Sequence, residues 1–157
     1  MGAIMLGYGA LVATAAHFSP MEHRSVSLDM ANTLVEAALA SCRATNRNAA
    51  VAVVDQGGNL IAFQGGDQIG PHNTRAAERK AFTALSTKTS TSTLAERAAT
   101  DPGSRYLASH PDLLLLGGGL PLVYEGEVIG GIGVAGSGGS ISDELCARAA
   151  LAQFIDP

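Results

Sequence analysis

The chain has 157 residues, enough for one domain around one hydrophobic core and too few for two comfortable ones. Hydrophobic residues make up 46% but aromatics only 4%, with 19 Gly and no Trp, so the core must be built from Ala, Leu, Val and Ile at close backbone approach. A formal charge of −4 argues against nucleic acid, whose phosphates need a basic stripe, and against anionic membrane surfaces.

Ala3 to Ala16 is apolar, and Ala13-Thr14-Ala15 looks like a leader cleavage site. No Lys or Arg precedes Arg24, however, so the charged start of an export leader is missing. Residues 1–26 read either as a structured arm or as the remnant of a leader, with residues 27–157 as the core. The compartment follows that choice, cytoplasmic for the arm and exported for a trimmed leader. The apolar stretch is too short to span a membrane.

Ser27 is placed to cap a helix running through Ala44, since Leu28, Ala31, Leu34, Val35, Ala38 and Cys42 recur at helical spacing. Ala49 to Val54 reads as a buried strand, Asp55 to Asn59 as a turn and Leu60 to Phe63 as the returning strand. After loop chemistry up to Gly70-Pro71, Asn73 or Thr74 opens a helix whose Ala77, Ala81, Ala84 and Leu85 make a small-residue stripe. Thr93-Leu94-Ala95-Glu96 fits a capping box and predicts a short helix that stops before Asp101-Pro102-Gly103. Strands follow at Pro121 to Tyr124 and Val128 to Ala135, and Ser142 is placed to cap a last helix through Gln153. This order predicts an α/β chain of the α+β type, a mainly antiparallel sheet with helices packed on it. Cys42 and Cys146 each fall within an apolar helical pattern, which predicts buried free thiols rather than a disulfide or a metal pair.

Gly131-Ile132-Gly133-Val134-Ala135-Gly136 fits GxGxxG but lies inside a strand instead of opening a helix, so no nucleotide cofactor is expected and the glycines are assigned to backbone packing. Ala135 to Gly139 misses the first glycine of a GxSxG elbow, leaving Ser137 a turn residue, and no HExxH or EF-hand pattern occurs.

Three blocks in order carry a family resemblance: Val53-Val54-Asp55-Gln56-Gly57-Gly58-Asn59-Leu60; Asp67 through Gly70-Pro71-His72 into Lys80-Ala81-Phe82-Thr83-Ala84; and Gly118-Gly119-Leu120-Pro121, Gly126 through Gly130 and Gly133-Val134-Ala135-Gly136. From Val51 to Leu151 the chain resembles the GlcG/HbpS (DUF336) family of haem-binding or haem-degrading domains, which is similar to the C-terminal part of PduO proteins. Gly65 stands where members often carry Arg, and Ala135 replaces the serine of a usual GVSG. The resemblance implies a sheet-and-helix sandwich that forms dimers or higher homo-oligomers, with ligand pockets near subunit contacts.

Within that frame, His72 lies on a loop just before a helix, where a neutral imidazole suits a haem iron or a proton relay; the alternative is a helix-start histidine bonded to nearby backbone. His110, beside Pro111, ranks next, and His17 and His23 fall in the N-terminal segment. Arg75, Arg79 and Lys80 could neutralise propionates or a substrate carboxylate, or form a solvated helix face. Lys80 sits beside the small-residue stripe, placed to pair with Asp55 or Asp67, or to act as an acid or base. Three functions remain open. The first is a haem or tetrapyrrole-binding protein using His72, Arg75 and Arg79, with His72 on the iron. The second is a cofactor-independent enzyme moving protons on a small carboxylated substrate with Lys80, Glu78 and Asp67. The third is an accessory oligomer of a metabolic pathway.

Overall fold

A computed structural model describes residues 18–154; the apolar stretch at 3–16, its leader-like tripeptide and His17 lie outside the described residues. The elements are α1 (Leu28–Ala44), β1 (Ala50–Asp55), β2 (Leu60–Gly65), α2 (His72–Thr87), α3 (Thr91–Thr100), a 3-10 turn (Arg105–Ser109), β3 (Gly119–Tyr124), β4 (Glu127–Ala135) and α4 (Ser140–Phe154). The four strands form one antiparallel sheet in the order β2-β1-β4-β3, giving the expected α+β class. No helix among the described residues is long and apolar enough to cross a membrane.

Strand side chains alternate between faces, and here the two faces are made of different residues. Val51, Val53, Leu120, Leu122, Ile132 and Val134 point to α1 and α4, packing on Leu34, Val35, Ala38, Leu39, Ala147 and Ala150. Ala50, Ala52 and Ala135 point the other way, against Ala77 of α2. The same face carries Gly119, Gly131 and Gly133, where an added methyl group would collide with the carbonyl oxygens of Lys80, Ala81 and Ala77 respectively. The sheet therefore presents a smooth Gly/Ala surface on which the α2 backbone rests directly. Gly131 and Gly133 of the GxGxxG run thus take the expected packing role, while Gly136 lies against the Asn73 side chain.

Local signals set most boundaries. Ser27 Oγ accepts from the Met30 N–H at 3.2 Å, capping α1, and the Val26 N–H donates to the Ile129 carbonyl, tying the entry segment to β4. In the hairpin turn, Asp55 Oδ1 accepts the Asn59 N–H at 2.8 Å. Three helix starts differ from expectation. Helix α3 begins at Thr91, because Ser90 Oγ, and not Thr93, caps it by accepting the Thr93 N–H at 3.2 Å. Helix α4 begins at Ser140, with the Asp143 N–H bonded to the Gly139 carbonyl; Ser142 lies inside the first turn and donates to the Ser137 carbonyl. Helix α2 starts one residue early, at His72, with no side-chain cap.

The cysteines overturn the free-thiol expectation: Cys42 and Cys146 form a disulfide, with Cα atoms 5.3 Å apart. Apolar helical surroundings pointed to burial, and both are buried, but α1 and α4 lie side by side and bring the two together across 104 residues of sequence. Spacing along the chain carries no trace of that meeting. Such a staple persists in oxidising surroundings and stabilises largely by restricting the unfolded chain.

A second link joins the helical layers. Lys80 on α2, 1% exposed, donates from Nζ to Asp143 Oδ2 on α4 at 2.7 Å and to the Val134 carbonyl at 2.9 Å. The expected partners are elsewhere, Asp55 bonded to Asn59 in its turn and Asp67 exposed on the loop before α2. Asp143 Oδ1 accepts from the Ser137 N–H at 2.8 Å and from Ser137 Oγ at 2.7 Å, so both carboxylate oxygens are occupied. The pair passes beside Gly118, which has φ +120°; a Cβ there would stand 2.8 Å from Asp143 Cβ and 3.0 Å from Lys80 Nζ.

Two outcomes follow. Cys42→Ser/Cys146→Ser, or reduction with dithiothreitol, is expected to cost about 2–4 kcal/mol and lower the melting temperature by roughly 5–15 °C, read by circular dichroism. Asp143→Ala strands a buried ammonium and is expected to cost about 3–5 kcal/mol in urea unfolding. Adding Lys80→Met to that variant should recover part of the loss; no recovery would show that the ammonium is not its source.

Candidate functional site

Helix α2 is the element that gathers the candidate residues. His72, Arg75 and Arg79 recur at i, i+3 and i+7 and so share one flank, while Ala77, Lys80, Ala81 and Ala84 share the flank that rests on the sheet. The polar flank opens on a cavity of about 330 Å³ lined by Arg75, Glu78, Arg79, Phe82, Gly58, Pro111 and Asp112. The hairpin turn supplies Gly58, and the segment after the 3-10 turn supplies Pro111 and Asp112. Gly58, at φ +84°, stands where a Cβ would press into the Phe82 ring at 2.8 Å, so the glycine lets the turn close down on the helix.

The far wall is tied to α2 and α3 by three side chains. Arg79 donates from Nη2 to the Leu113 carbonyl at 2.6 Å. Thr83 Oγ1 accepts the Leu114 N–H at 2.9 Å, and Thr91 Oγ1 donates to the Leu116 carbonyl at 2.8 Å while accepting the Gly119 N–H. Arg79 thus spends one nitrogen on holding the wall. Its Nε is buried and has no partner among the described residues.

His72 is exposed in the first turn of α2, over Gly70 and outside the cavity lining. Among the described residues its imidazole makes no hydrogen bond, so the bond to nearby backbone weighed as the alternative does not form. His110 is also exposed, with Nδ1 accepting the Asp112 N–H at 3.3 Å beside the cavity wall. His23 is exposed in the segment before α1.

The three residues of the acid–base set do not converge. Glu78 lines the cavity, Asp67 is exposed on the preceding loop and Lys80 is sealed beneath α2. Burial pushes the Lys80 ammonium below the ordinary lysine range, against the hydrogen bond and charge of Asp143. No group of three or more His, Cys, Asp or Glu able to hold a bare metal ion occurs among the described residues.

Sequence reasoning passed over Phe82, Asp112 and Gly58 as cavity residues and Asp143 and Ser137 as partners of Lys80. Phe82 had a readable signal, lying one helical turn beyond Glu78 on the same flank. Asp143 had none, because an acid in the first turn of a helix is ordinary and its partner is 63 residues away.

Comparison with known proteins matches this architecture. The family model for haem degrading protein HbpS-like matches residues 26–152. Protein GlcG of Escherichia coli strain K12 is 32% identical over 110 residues, 70% of this chain and 81% of the relative. A double mutant of Streptomyces reticuli HbpS superimposes with a TM-score of 0.82 at 35% identity, covering 96% of this chain and 100% of that one. The crystal structure of a PduOC–haem complex superimposes with a TM-score of 0.75 at 27% identity, over 82% of this chain and 94% of that one. With fold, matched span and relatives in agreement, the chain belongs to the GlcG/HbpS family, DUF336.

Proposed function

We propose that this protein binds haem or a related tetrapyrrole at the start of α2 and does so as a homo-oligomer. One observation carries the reading: the positive end of α2 concentrates further positive charge. The first turn has no acidic residue and no side-chain cap, yet it holds Arg75, and Arg79 follows one turn on. The helix dipole disfavours cations there, so the arrangement suits an anionic group brought from outside. The PduOC relative, crystallised with haem, supplies the class of ligand.

The residues fit such a group in part by enclosure and in part by surface. A cavity of about 330 Å³ is at the small end of ligand sites, which run from roughly 300 to 1,000 Å³, so it suits the carboxylate edge of the ligand better than the whole macrocycle. Arg75 would hold a propionate, Arg79 would keep the wall in place and offer its unpartnered Nε, and Phe82 would supply apolar contact. His72 is the candidate axial ligand, its ring nitrogens uncommitted. Haem, when bound, would supply the iron chemistry, and His72 would help to hold it through a ring nitrogen.

The acid–base enzyme reading has no comparable support, because its lysine is enclosed by Asp143 and the Val134 carbonyl and its carboxylates do not share a cavity with it. For the accessory-oligomer reading, the assembly is retained and the ligand is what distinguishes the two.

Haemin titration followed by absorbance is expected to show a shifted Soret band that saturates in simple proportion to subunits. His72→Ala should abolish the shift, and Arg75→Ala should weaken binding about tenfold, the loss of one charge-assisted contact of roughly 1.5 kcal/mol. Weak, non-saturating absorbance changes that are the same in His72→Ala would overturn the assignment.

A further inference from the structure

Helix α4 is apolar on both sides. Its inner side buries Cys146, Ala147 and Ala150 against the sheet and α1. Its outer side carries Ile141, Leu145, Arg148 and Ala152, spaced i, i+4, i+7 and i+11, the seam spacing of one helix against another. Ile141 is 80% exposed and Leu145 61%, which no other pair four residues apart in the described helices approaches with two aliphatic side chains. Two large aliphatic side chains exposed together on one helix turn are the kind of surface that a partner covers.

The ground beside this ridge is grooved on both flanks and carries opposite charge on each. On the α1 side runs a groove of about 580 Å³, whose one charged residue is Arg47, folded over Gly138. On the α3 side runs a groove of about 260 Å³, which carries Glu96 and Glu144. Both grooves share Ile141 and Leu145 as their common wall. Arg148, the single cation of the ridge, is already matched by Glu144, with Nε donating to Oε1 at 3.0 Å, which lowers the cost of covering it. Among the described residues neither Arg47 nor Glu96 has a salt-bridge partner.

We infer that the outer face of α4 is a self-association surface whose occupant is the α4 face of a second copy of this chain. A two-fold axis running close to the α4 direction turns one flank of the helix onto the other, so the groove with Arg47 in one copy meets the groove with Glu96 in its partner, and the reverse. The Ile141–Leu145 ridges lie side by side between them, as i, i+4 ridges do in helix packing. The Arg47–Glu96 contact then occurs twice, as an isologous interface requires. This deepens the homo-oligomer part of the proposed function and does not depend on haem.

Sedimentation of the full chain without haem tests it. The wild type is expected at twice the chain mass or a higher even multiple of it. Ile141→Glu/Leu145→Glu should fall to a smaller species with unchanged far-ultraviolet circular dichroism, since neither side chain is part of the core. Arg47→Glu and Glu96→Arg should each weaken association by at least about tenfold through facing like charges, and the combined Arg47→Glu/Glu96→Arg chain should regain it. A monomeric wild type, a ridge variant of wild-type mass, or a charge exchange that fails to restore association overturns the interface. Haemin titration of the same samples reads ligand binding separately, so loss of one property does not stand in for loss of the other.

Discussion

The α2 backbone lies on a sheet face almost without side chains, and the rest of the structure depends on that contact. Gly119, Gly131 and Gly133 leave room only for carbonyl oxygens of α2, and Ala50, Ala52 and Ala135 fill the remainder. Close-packed interiors tolerate little change in volume, so a contact this flat permits little rotation or sliding of the helix. It therefore decides which α2 residues are sealed and which face outward. The bulky half of the core, between the opposite face and α1 and α4, supplies most of the buried aliphatic surface. The two halves do different work, one providing hydrophobic stabilisation and the other registering the site-bearing helix.

Once α2 is registered, the fate of its charged residues follows from position alone. Lys80 falls on the sheet side and has to find a counter-charge in the interior, which Asp143 provides from the start of α4. A buried pair of this kind is weak evidence for net stability, but losing one member is costly, so it acts as a constraint on how the layers meet. Arg75, Glu78 and Arg79 fall on the outer flank and become cavity residues. The division between sealed and cavity-facing cations is thus a matter of helical phase, with Arg79 and Lys80 adjacent in sequence and on opposite flanks.

This also explains what could be read in advance. Helical and strand periodicities are local, and the elements appear in the expected order, with ends displaced by a few residues where capping is decided by one hydrogen bond. The pattern Thr93-Leu94-Ala95-Glu96 looked like a capping box, yet Ser90 takes the Thr93 N–H first because α2 ends at Lys88 in a left-handed conformation and frees the next residues. The glycines of β4 were readable as packing residues because they lie within a strand. Long-range pairings were not legible: Cys42 with Cys146 and Lys80 with Asp143 join residues whose surroundings are ordinary for their elements. For the cavity, Arg75, Glu78 and Arg79 were legible as a helix flank, whereas Gly58 and Asp112 enter only through tertiary contacts.

Helix α4 is tied to both layers of the fold and still leaves one face outward. Its inner side is held by the disulfide to α1 and by Asp143 to α2, so its orientation is fixed from both layers at once. A helix held that firmly can present an apolar outer ridge without rolling it inward to escape water. The cost of exposing Ile141 and Leu145 then remains until another surface covers them. Asp143 and Ile141 lie in the same turn of α4, so the turn that anchors the helix to the site-bearing layer also begins the outer ridge. Assembly through that ridge would bear on the turn that holds Lys80, linking subunit contact to the placement of α2.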